Sequence, residues 1–198
     1  MLRGWPLVSA IAPPLRWLPV AAQRRLLWRF GLIGVAAFAT MAALDGSLRT
    51  VAAPGGIVSF ELCRTTDACQ GMLDSWSIEA KYRAALSLGI DYLAMLSYSV
   101  FLALACLRSA AGAAAVAPGI AAFAAPVAWG QLAAGALDAV ENLALIRMLL
   151  GAVTDGWALL AWAAASVKFG LVAIGIAYTI ACLFLAARAG RHSESTGA

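Results

Sequence analysis

Charge is scarce in this chain. Asp, Glu, Lys and Arg together make up 12% of its 198 residues, against about 25% in soluble globular domains. So few charges cannot clothe a water-facing surface of this size, and a soluble domain is excluded. Histidine is nearly absent, His192 in the polar tail being the only one. No bis-histidine haem or histidine-rich metal site is therefore expected, and a Ser-His-Asp triad is disfavoured. The chain has no C-x-x-C thiol pair, no completed zinc pattern and no phosphate-cradling glycine loop with its Lys and Ser/Thr. Pro54-Gly55-Gly56 reads only as a turn. Also missing are the aspartate array of alcohol phosphotransferases and the serine-plus-histidine pair of intramembrane proteases. The net charge is +4 and the pI about 9.1, but no basic stripe is interleaved with aromatics, so nucleic acid is not an expected partner.

Apolar sequence is abundant. Hydrophobic residues reach 63% and the mean hydropathy is +0.86. The runs fall at 28–44, 84–107, 119–150 and 157–187. The reading is an all-α integral membrane protein, an antiparallel four-helix transmembrane bundle with the bilayer as its first partner. A second copy or another membrane protein is a further candidate partner. The third run is about 32 residues long, more than the roughly 20 that the hydrocarbon core takes. It must tilt, protrude or break, and Pro126 is the natural kink site.

Residues 1–27 read as a cytoplasmic segment lying at the interface. Pro6, Pro13, Pro14 and Pro19 prevent one long helix, and Arg16 with the prolines denies the unbroken core of a signal peptide. Trp5, Trp17 and Trp28 suit the interface. Basic residues sit at Arg3, Arg16, Arg24, Arg25 and Arg29, at Arg108 after the second run, and at Arg188 and Arg191 before the cytoplasmic tail 188–198. By the positive-inside rule both termini are cytoplasmic, and the Ala- and Gly-rich composition fits a bacterial inner membrane. The loop between the first two runs then faces the periplasm. Thr65, Thr66 and Asp67 are placed to cap a short helix there. Met72, Leu73, Trp76 and Ala80 recur at helical spacing, as in an amphipathic helix lying on the membrane surface. Cys63 and Cys69 share this loop and form a disulfide if it is oxidised; Cys106 and Cys182 lie in apolar runs as small hydrophobes. Val35, Ala39 and Ala43 in the first run, and Gly170, Ala173, Gly175, Ala177 and Ala181 in the fourth, supply small residues for helix packing.

Ionisable residues inside spans are costly and rare. Here Asp91 lies in the second run, Asp138, Glu141 and Asn142 in the third, and Lys168 in the fourth. Asp138, Glu141 and Asn142 stand at i, i+3 and i+4 and share a face; Asp91 and Tyr98 are seven apart and share another. Their depths match, so one polar cluster is expected, open or nearly open to the outer side, with Glu61 and Arg147 at its rim. As structure, it ties helices together or meets interfacial water. As function, carboxylates with an amide suit a hard cation such as Mg²⁺, Ca²⁺ or Mn²⁺, a proton relay or a polar ligand. Three readings stay open: a non-enzymatic membrane protein binding a cation or polar solute or organising a partner; a small enzyme using Asp138 or Glu141 as acid or base on a lipid or isoprenoid substrate; and a subunit of a proton- or cation-coupled transporter. The ligand, substrate and cofactor are not specified by the sequence.

Overall fold

The computed structural model describes residues 11–195. Arg3, Trp5 and Pro6 lie outside the described residues, as do the side chains of Arg191 and His192. Every regular element described is helical: α1 (Val20–Asp45), α2 (Ile57–Glu61), α3 (Thr66–Ser75), α4 (Ile78–Ala113), α5 (Pro118–Ala121), α6 (Ala124–Leu149) and α7 (Asp155–Ser195). Four stretches are long and apolar enough to cross a membrane: Val20–Leu48, Ile78–Ala113, Pro118–Leu149 and Asp155–Ala189.

These helices overrun the apolar stretches. α1 starts at Val20, directly after Pro19, whose fixed φ suits the position before a first turn. α4 begins at Ile78 because Ser77 accepts from the Ala80 backbone N–H (3.1 Å), and Glu79 pairs with Arg83 one turn on (2.7 Å). Hydropathy marks the lipid-facing part of such a helix and misses its polar turns. The third span breaks at Ala122 and Phe123, just ahead of Pro126. The proline ring excludes the carbonyl four residues earlier, so α6 opens with Pro126 in its first turn.

The chain packs as two compact units. One comprises Phe30–Tyr98 and Ala134–Phe169; the other holds the remaining described residues. In the first, the segment after α1 folds into a cap. Asp45, at the end of α1, accepts from the Ile57 N–H at the start of α2 (2.8 Å) and from Arg49 (2.9 Å). Gly56 carries φ 61°, and a Cβ there would run into the Asp45 carboxylate. The expected turn is thus also a seat for Asp45. Thr65 caps α3 through the Ala68 N–H, at 3.3 Å. Contrary to the amphipathic surface helix expected across 72–81, the backbone turns extended at Trp76. Leu73, Trp76 and Ala80 face the protein core, where Trp76 meets Phe60 edge-on and donates to the Leu48 carbonyl (2.8 Å). Residues at helical spacing on a polar loop look alike whether they face lipid or protein.

The face of α1 that packs is also shifted from the one expected. Gly34, Ala37 and Asp45 are buried, and a Cβ on Gly34 would touch Ser97 of α4; Val35, Ala39 and Ala43 are exposed. In the second unit, Gly175 is the buried small residue of α7. It makes room for Gln131 of α6, whose amide donates to the Leu171 carbonyl (2.9 Å). Gly170, Ala173, Ala177 and Ala181 are exposed. Small residues lie all around these helices, so spacing alone does not say which row is covered. Cys106 and Cys182 are free and buried.

Candidate functional site

Every residue of the candidate site belongs to the first unit. α4 supplies Asp91 and Tyr98, α6 supplies Asp138, Glu141 and Asn142, α7 supplies Lys168, and α2 supplies Glu61. The Lys168 ammonium lies 2.9 Å from Asp138 Oδ1, 2.7 Å from Glu141 Oε2 and 3.9 Å from Glu61 Oε2. Tyr98 donates its hydroxyl hydrogen to the other Asp138 oxygen at 2.8 Å. Asn142 donates through Nδ2 to Asp91 at 2.8 Å. Neither Glu141 oxygen has a hydrogen-bond partner among the described residues. Its approach to Lys168 is a charge contact outside hydrogen-bonding angles, and Asn142 Oδ1 is likewise buried and unpartnered.

The cluster is closed, in contrast to the outward opening expected from the sequence. Glu61, the most exposed of its carboxyl residues, retains only 7% of its surface. Glu61 was expected at the rim and instead reaches the ammonium. It does so because α2 ends at Glu61 and the chain is pinned just beyond by the Cys63–Cys69 disulfide, with Cα atoms 5.4 Å apart. Asp155, at the start of α7, accepts from both the N–H (2.9 Å) and the hydroxyl (2.7 Å) of Thr66, holding α3 over the α6–α7 turn. Arg64 lies over the Trp162 ring at 4.7 Å. Arg147, the other expected rim residue, lies over the Trp157 ring at 5.8 Å and makes no ion pair with the cluster. Trp129 donates to the Ala12 carbonyl (2.9 Å), a structural role in the second unit.

Tyr98 is a site residue beyond those the sequence singles out. Its seven-residue offset from Asp91 placed it on the right face, but its actual partner is Asp138, on a different helix.

Four carboxyl groups thus share this buried space with one ammonium, which Glu61, Asp138 and Glu141 contact. Were all five ionised, three negative charges would remain uncompensated in a buried space, an arrangement of several kcal/mol per charge. A cluster of this composition relieves itself by holding protons or by taking a further cation. Among the described residues no group of three His, Cys, Asp or Glu side chains is disposed to hold a metal ion; the Lys168 ammonium takes the central place instead. Outside the spans, burial pushes the Glu61 carboxyl up from its ordinary 4.5 to about 7. The Lys168 charge pulls against this, and Asp91 and Asp138 add to it. Comparison of the chain with protein-family models, with curated proteins and with solved structures found no match.

Proposed function

We propose that this is a multi-pass inner-membrane protein whose Lys168-centred cluster is a proton-binding site. One observation carries the reading: four buried carboxyl groups share the space around a single ammonium, which three of them contact, and the Glu141 oxygens and the Asn142 side-chain oxygen make no hydrogen bond. Protons satisfy that imbalance without new coordination geometry. Of the alternatives, a hard cation would have to displace the ammonium from its carboxylates. Chemistry on a lipid would need an opening beside Asp138 and Glu141, and these side chains are 2% and 0% exposed. A proton site of this kind suits a subunit that couples proton uptake to the packing of helices or of a partner.

The proposed topology has four antiparallel spans, cytoplasmic termini and a periplasmic cap. The Thr66–Asp155 contact supports it, because it joins the α1–α4 connection to the α6–α7 turn, as antiparallel spans with both connections on one side require. Charge supports it as well. Arg16, Arg24, Arg25, Arg29, Arg108 and Arg188 all fall near the termini or the α4–α5 link. A disulfide in the cap fits an oxidising compartment.

The test is thermal unfolding in lipid nanodiscs, comparing wild type with the double variant Asp138→Asn, Glu141→Gln across pH 5–8, with and without Mg²⁺, Ca²⁺ or Mn²⁺. The reading expects a pH-dependent Tm in the wild type, a flattened profile in the variant and indifference to the cations. A Tm that climbs with divalent concentration only in the wild type would make it a cation site. A wild-type Tm constant across pH would reduce the cluster to a structural tie.

A further inference from the structure

Among the described side chains, the arginines of the second unit have no carboxylate to pair with. Among the residues that make up that unit, Glu194 is the only acid in the sequence, and its side chain lies outside those described. The first 44 residues of the chain contain no Asp or Glu. Arg24, Arg25 and Arg29 nevertheless crowd the first three turns of α1, the end at which the helix dipole is already positive. None of the three has an ion pair among the described residues. Together with Trp28 they line an open notch of about 450 Å³. The spacing explains the notch: residues 24 and 28, and 25 and 29, are each four apart, so they form two adjacent rows on one helix face. Trp28 is 65% exposed there.

We infer that this notch binds the phosphate of an anionic phospholipid headgroup from the surrounding bilayer. Guanidinium forks match the paired oxygens of a phosphodiester. The indole beside them is amphipathic and settles at headgroup depth, with its ring against the upper acyl chain and its N–H toward water. The position is right for a lipid: α1 is a spanning helix, and its apolar run continues directly beyond Arg29 as Phe30, Leu32 and Ile33. A bound headgroup supplies the negative charge that this part of the chain lacks.

The experiment is native mass spectrometry of the full chain in detergent, titrated with phosphatidylglycerol or phosphatidylcholine. Wild type is compared with R25Q/R29Q and with R108Q/R188Q, which loses equal charge elsewhere. The wild type is expected to prefer phosphatidylglycerol. R25Q/R29Q is expected to lose affinity for it on the order of ten- to thirty-fold, as two interfacial arginines imply, while R108Q/R188Q keeps it. Equal retention of phosphatidylcholine, an unchanged R25Q/R29Q or an equal loss in R108Q/R188Q would each overturn the inference. So would displacement of the lipid by millimolar inorganic phosphate, which would mark a site for free anions.

Discussion

On the proposed proton-binding reading, Glu61 is the residue outside the spans whose carboxyl is held above its ordinary value. Asp91 of α4, Asp138 and Glu141 of α6 and Lys168 of α7 all act on it, and its folded-state value near 7 lies above the ordinary 4.5. The folded protein therefore holds this proton more tightly than the unfolded chain. Its stabilising contribution is complete below about pH 4.5 and is lost as pH rises through 7. Glu61→Gln, which mimics the protonated form, is expected to flatten the fall in Tm between pH 5 and 8. A thermal scan of the variant at half-unit steps checks this, and a slope as steep as wild type would assign the proton elsewhere. The same residue shows where sequence reading stops. Asp91, Asp138, Glu141, Asn142 and Lys168 were legible because charge within an apolar run is conspicuous. Glu61 stands in a polar loop among other charges, and only the fold of the cap decides that it turns inward.

At the scale of elements, the connection from α1 to α2 depends on one glycine. Gly56 sits at positive φ, and its missing side chain leaves space for the Asp45 carboxylate that caps α2. Gly56→Ala is expected to destabilise by on the order of 2–4 kcal/mol, combining left-handed strain with loss of a charged hydrogen bond. Gly46→Ala, with open space around it, should leave the Tm unchanged. Thermal unfolding of the two variants side by side measures the difference, and equal behaviour would remove Asp45 from its capping role. The four spanning stretches were readable as runs of apolar residues. Their ends were not, because an Ser77 cap or a Glu79–Arg83 pair extends a helix without adding hydropathy. The packed faces were not readable either, since Ala and Gly occur on every side of α1 and α7.

At the scale of the molecule, the chain separates its charges: the unit holding the candidate site carries nine of the ten acids (Asp45, Glu61, Asp67, Asp74, Glu79, Asp91, Asp138, Glu141 and Asp155), and the arginines of the other have none among the described side chains. The disulfide closes a short loop within the acidic unit. In the chain-entropy view a closure of that length contributes about 2 kcal/mol. The double variant Cys63→Ser, Cys69→Ser is expected to melt several degrees lower and to show a weaker pH dependence, because Glu61 loses its anchor. Wild type treated with reductant should match it; a variant with wild-type pH dependence would separate the cap from the cluster. The Thr66–Asp155 contact has a consequence for biosynthesis. It spans 89 residues and is made by the helix that also carries Lys168. Translation delivers α7 last, so the cluster carboxyl groups of α2, α4 and α6 are made before Lys168, the one cation in contact with the cluster among the described residues. A nascent chain stalled before residue 155 would therefore hold these acids unmatched and its cap undocked.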